Sequence, residues 1–209
     1  MISHDSGVIL VNVPFSGADV FENCYIKKND ESCISSYDTK KLSQNEPLQH
    51  ASLGRTINQF YDYSLFSIVK SPYLRAYEIW KRGQSNLKKE KMGKQDLGEY
   101  FENMLNGWNC IPEDKVESQS VYLQSNDNSY FGYNNVEFKV EELFHYENLI
   151  KNELTDINDF LEENQMRPLT YFVDPDFNED WSEYYDKNAI EIINYVFEED
   201  FAYCGYRKL

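Results

Sequence analysis

"VILVNVPFSGADVF", residues 8–21, passes from an apolar run through Pro14, Ser16 and Gly17 into a segment of helical pattern. A short apolar run rich in Val and Ile, closed by turn residues, reads as a strand covered on both faces. Strand, tight turn and helix in that order commonly cradle a phosphate. The first amides of a helix lack intrahelical acceptors, and the helix dipole favours an anion there. The turn holds no lysine, and Asp19 sits where the helix begins. Two readings of residues 14–17 therefore stand side by side. One is a backbone anion cradle; the other is an ordinary helix start in which Asp19 satisfies the free amides and the dipole.

The same pattern recurs along the chain. "LFSIVK" (65–70) is a second apolar run, and "ELFHYENL" (142–149) ends a third. After the second, Ser71 can cap and Pro72 suits a first helical turn, while Tyr73, Ala76, Tyr77 and Trp80 recur at helical spacing. Near the C-terminus, Ala189, Ile190, Ile193, Val196 and Phe197 fall on one face of a long amphipathic helix expected to pack on the sheet. Strands alternating with helices predict an α/β fold of three layers, with a mostly parallel central sheet and flanking helices. The length of 209 residues suits one domain over 1–209.

Charge narrows the function. Asp and Glu number 36 against 20 Lys and Arg, a net −16, which argues against a general nucleic-acid surface. The apolar run at 8–13 is far shorter than the roughly 20 residues of a membrane span, and no basic segment precedes it, so a cytoplasmic protein is expected. Cys24, Cys33, Cys110 and Cys204 show neither C-x-x-C pairing nor zinc-like spacing to a histidine, so no metal site is expected. "KRGQSNLKKEKMGK" (81–94) is the exception to the acidity, with six basic residues and one acid. It reads either as a solvated helix end and loop or as a surface for an acidic partner.

The order of "VNVPFSGADVF", "HASLGR" (50–55), "FSIVKSPYLRAYEIW" (66–80), "SQSVYL" (118–123), "FHYENL" (144–149) and "EEDFAYCGY" (198–206) is similar to that of the carbohydrate-type sulfotransferases. The resemblance runs from about residue 8 to residue 206. It implies a five-stranded, mostly parallel sheet of the P-loop, nucleotide-kinase-like kind. The implied activity is transfer of a sulfuryl group from 3'-phosphoadenosine 5'-phosphosulfate to a hydroxyl or amine, the acceptor being a carbohydrate or similar molecule.

In the resemblance, Ser16 and Gly17 match the motif Pro-Lys-Thr-Gly-Gly-Thr that holds the 5'-phosphosulfate, but Phe15 stands at its lysine. Val69, Pro72, Tyr73 and Arg75 match Val-Arg-Asn-Pro-Tyr-x-Arg-x-x-Ser, with Lys70 at its first arginine and Glu78 at its serine. The implied nucleotide contacts are thus Ser16, Gly17, Lys70 and Arg75. His50 is the candidate base, since an imidazole can accept a hydroxyl proton near neutral pH; a hydrogen-bonded histidine supporting a helix start is the other reading. Glu147 matches a family acid that can equally cap the next helix.

Phe15 cannot donate to a leaving phosphate oxygen, and losing one comparable donor costs about 10² to 10³ in rate. Glu78 adds negative charge, either as part of a solvated ion-pair stripe with Arg75 and Arg82 or beside a phosphate. The sequence therefore supports two functions. One is a phosphosulfate-dependent sulfotransferase; the other is a catalytically degenerate member that keeps the fold and acts as a binding or interaction module.

Overall fold

The structure is a computed structural model, and it describes residues 1–3, 5–29, 33–34, 62–89, 95–107, 117–125, 138–140 and 142–209. These form two compact units, each assembled from two stretches of chain. The first comprises Met1–Val69 and Val121–Pro175, the second Lys70–Ser120 and Asp176–Leu209.

The first unit contains the sheet. Its strands are β1 (Ile2–Ser3), β2 (Val8–Val11), β3 (Cys33–Ile34), β4 (Ser64–Val69) and β7 (Glu142–His145), in the order β3-β1-β2-β4-β7. The short β5 (Gln124–Ser125) and β6 (Phe138–Lys139) pair separately. β2, β4 and β7 are parallel, with Leu10 opposite Phe66 and Phe66 opposite Glu142, whereas β1 runs antiparallel to both β2 and β3. Among the described residues the parallel core is thus three strands wide. The three strands expected from apolar runs are these three, and the antiparallel flank comes from pieces of two residues each.

Each parallel strand feeds a helix: α1 (Ala18–Asn29) after β2, α2 (Pro72–Lys89) after β4 and α5 (Tyr146–Ile150) after β7. The reason lies in β4, whose residues 66–69 are all buried, so both faces must be covered. One cover is aromatic. The ring of Phe66 packs edge-on against Phe21 of α1 at 5.7 Å and Phe144 of β7 at 6.0 Å, and at a tilt against Phe160 of α6 (Thr155–Glu163) at 5.1 Å. Full burial of one such ring stabilises by about 1.5–3 kcal/mol.

The second unit is helical. It holds α2, α3 (Leu97–Leu105), a 3₁₀ turn (Glu179–Tyr184), α7 (Lys187–Val196) and α8 (Glu198–Tyr203), while α4 (Gln119–Leu123) begins in this unit. Asp96 caps α3 through the Glu99 amide at 2.7 Å, and Asp186 caps α7 through the Ala189 amide at 2.7 Å. Such caps contribute about 1 kcal/mol each. α7 packs on α2 and α3.

The long C-terminal helix expected from the sequence is two helices. Phe197 breaks it with φ −112° and ψ 31°, and three acids, Glu198, Glu199 and Asp200, fill the first turn of α8, where the dipole favours them. Ala189, Ile193 and Phe197 are buried as expected, whereas Ile190 and Val196 are only partly so.

Candidate functional site

β2 and β4 are parallel neighbours, so both leave the sheet at its C-terminal edge, the place where open α/β sheets bind ligands. The turn after β2 belongs to the first unit. Its backbone is unusual at two positions, Phe15 (φ 62°) and Gly17 (φ 89°). Glycine adopts that region freely, whereas phenylalanine does so under strain. Gly17 is also pressed by a neighbour: a Cβ built there would fall into the ring of Tyr146, the first residue of α5. The Tyr146 hydroxyl in turn donates to Asp174 Oδ2 at 2.6 Å, which fixes the ring in place.

Ser16 is fully buried and closes the turn on itself. Its hydroxyl donates to the Val13 carbonyl at 2.9 Å and accepts from the Ala18 amide at 3.3 Å. Its own amide donates to the Val13 carbonyl at 3.3 Å. Two of the amides that an anion would use are therefore already bonded inside the turn. The capping role weighed for Asp19 is filled at Ala18 by the Ser16 hydroxyl, while Asp19 remains in the first turn, where its charge suits the dipole.

Lys70 and Arg75 belong to the second unit and are both buried. Lys70 directly follows β4, and its ammonium donates to both oxygens of Glu78, at 2.7 and 2.8 Å. Its backbone is held by one side chain: the Lys70 amide donates to Gln119 Oε1 at 3.0 Å, and Gln119 Nε2 donates back to the Lys70 carbonyl at 2.8 Å. Arg75 lies 3.7 Å from Asp200 Oδ2, with its guanidinium over the Phe197 ring at 5.4 Å. The stripe of Arg75, Glu78 and Arg82 expected to be solvated is thus only partly so. Arg75 turns inward to Asp200, and Glu78 meets a lysine from outside the helix.

Asp200 is the centre of this second cluster. It accepts from the Ser120 amide at 3.1 Å and from Gln119 Nε2 at 3.4 Å, besides pairing with Arg75. Burial nevertheless outweighs these partners and holds its carboxyl above the ordinary carboxylate range. An acid whose folded value is raised stabilises most below its unfolded value, and that stability is lost as pH rises through the folded one. Across the pH range just above the ordinary carboxylate value, the parent should therefore lose stability relative to Asp200→Asn. Urea unfolding of both proteins at a series of pH values checks this, and parallel profiles would contradict it.

Cys204 lies buried nearby, and its thiol is pushed up by burial and then by the charge of Asp200, which leaves it neutral and unreactive. Lys81 and Arg82, at the start of the basic stretch, are exposed, and α2 carries the stretch to Lys89, as a solvated helix end does. Residues 90–94 and His50, with the rest of "HASLGR", lie outside the described residues. Glu147 falls in the first turn of α5, as a helix-start acid would.

Gln119, Ser120, Asp200 and Tyr146 are the structural partners that site reasoning from sequence passed over. All four lie within motifs quoted for the resemblance, so the signal for them was position within those motifs rather than residue chemistry.

Among the described residues no helix is long and apolar enough to cross a membrane, and no group of three or more His, Cys, Asp and Glu is placed to hold a metal ion. No family model, curated protein or solved structure matches the chain.

Proposed function

We propose that this chain is a sulfotransferase-type protein, with the three-layer P-loop-like fold, whose nucleotide site no longer turns over phosphosulfate and which acts as a binding module. The observation that carries this reading is the grip of Glu78 on Lys70, through both carboxylate oxygens. In the resembled family the position of Glu78 is a serine that holds the 3'-phosphate, and the position of Lys70 is an arginine that does the same. Here the two positions neutralise each other. Arginine would bring a bidentate fork to a phosphate; a lysine already shared by two oxygens brings neither fork nor free charge.

The turn supports the same reading. Its lysine is replaced by Phe15, and the Ser16 and Ala18 amides are bonded within the turn. Sulfuryl transfer builds negative charge on the leaving phosphate oxygen, and Phe15 has nothing to offer it. Under the competing reading, an active enzyme, Ser16, Gly17, Lys70 and Arg75 would hold the nucleotide, and His50 would take the acceptor proton.

The two readings separate in one titration. The desulfonated nucleotide, 3'-phosphoadenosine 5'-phosphate, should give no thermal shift with the parent protein up to about 1 mM. Phe15→Lys with Glu78→Ser, which restores the charge pattern of the resembled family at both motifs, should bring binding into the micromolar range, a gain of about 100-fold or more. Micromolar binding by the parent would overturn the degenerate reading.

A further inference from the structure

Gln119, the first residue of α4, is fully buried in the second unit, and its carboxamide meets the backbone of Lys70 at both ends. Oε1 accepts from the Lys70 amide at 3.0 Å, and Nε2 donates to the Lys70 carbonyl at 2.8 Å. Chemistry fixes which end is which, since the reversed amide would set donor against donor and acceptor against acceptor. β4 ends at Val69, so Lys70 lies one residue past its ladder. Only Asn and Gln carry an acceptor and a donor on one planar end, the form of contact a neighbouring strand would make there.

The same nitrogen reaches further. It lies 3.4 Å from Asp200 Oδ2, the oxygen that faces Arg75 at 3.7 Å. One buried amide therefore touches the backbone of one cation and the counter-ion of the other. A carboxamide that merely filled a gap in the packing has no need of both.

We propose that Gln119 is the positioning residue of this site, an inference that rests on the nucleotide-site reading above. Its two bonds to Lys70 hold the peptide planes on either side of the Lys70 Cα, and with them the direction in which the ammonium leaves the backbone. The third steadies Asp200 against Arg75. The two cations are then set by one group, and Glu78 blocks the arrangement without taking it apart. The ligand class that such a pair takes is a phosphate monoester dianion, because cations held in place beforehand lose little freedom when it binds.

The test has two arms, and the first needs no nucleotide. Gln119→Met keeps the length of the side chain and removes all three bonds. Lys70, buried in the parent, should then be acetylated by acetic anhydride about tenfold faster, read by mass spectrometry of its peptide, while hydrogen exchange across α7 stays within about twofold of the parent. Gln119→Asn keeps the carboxamide one carbon shorter and should fall between the two, which keeps the test decisive should the methionine variant not fold. Unchanged acetylation of Lys70 would overturn the proposal. So would α7 exchange that rises in step with acetylation, since Gln119 would then only hold the unit together.

The second arm measures 3'-phosphoadenosine 5'-phosphate by calorimetry in Phe15→Lys with Glu78→Ser. Adding Gln119→Met should weaken binding about tenfold or more. An affinity untouched by that addition would also overturn the proposal. No binding by the double variant itself would instead overturn the nucleotide reading, and the acetylation arm would still decide whether Gln119 sets Lys70.

Discussion

Gly17→Ala should destabilise the protein by about 3 kcal/mol, the sum of two costs that the turn imposes separately. An alanine held at φ 89° pays the left-handed penalty of about 1–2 kcal/mol. Its methyl enters the Tyr146 ring, and forcing extra volume into a packed site typically costs 1–3 kcal/mol. For a chain of this size the loss corresponds to roughly 6–12 °C in Tm. The two parts separate in a double-mutant cycle with Tyr146→Ala. In that background the methyl has room, so the added cost of Gly17→Ala should shrink to the backbone part alone. A single variant within about 0.5 kcal/mol of the parent would show that the ring does not seat on the turn.

The second large effect is expected at the Arg75–Asp200 pair. Removing one partner of a buried ion pair leaves the other charge without compensation, at a cost of about 3–5 kcal/mol. Arg75→Met should fall in that range, and its cost should depend on pH with a definite sign. Without the guanidinium the Asp200 carboxyl moves further above the ordinary range, because Arg75 is the first of the groups that lower it. At pH 5 it can take up a proton and shed its charge; at pH 8 it cannot do so as readily. The loss should therefore be smaller at pH 5 than at pH 8. Asp200→Asn added to Arg75→Met should recover most of the loss at pH 8, since an amide can lie in the same site uncharged. A cost independent of pH, with no recovery in the double variant, would mean that Arg75 contributes by packing over Phe197 rather than by charge.

The parallel core was legible in the sequence, and the reason is burial. β2 and β4 are covered on both faces, so they read as continuous apolar runs with little competing signal. β1 and β3 have two residues each and carry no pattern that could be read. The C-terminal break was partly visible: the acids after Val196 suit a new helix start as well as they suit a solvated face, and the apolar periodicity across Phe197 masked the difference.

At the candidate site, periodicity misled in a specific way. It placed Glu78 beside Arg75 and Arg82 because all three share a helix, whereas Lys70 precedes the first helical residue, Pro72, and has no place in that register. Asp200 looked like one acid among three, and only folding shows that it alone of them is fully buried.

The order of strands has a consequence for how the protein is made. β4, with the sequence SLFSIV, takes β2 on one side and β7 on the other, and the two sides are not supplied at the same time. β2 has left the ribosome before β4 appears, but β7 follows Val69 by roughly seventy residues, about 4–15 s of synthesis at 5–20 residues per second. For that interval one edge of β4 lacks the strand that pairs with it, and Phe66 lacks two of its three aromatic contacts, Phe144 and Phe160. Such an edge is a template for pairing with another nascent chain. The acidity of the chain, at a net −16, then works during translation as well as after it, since crowded copies repel one another until β7 arrives.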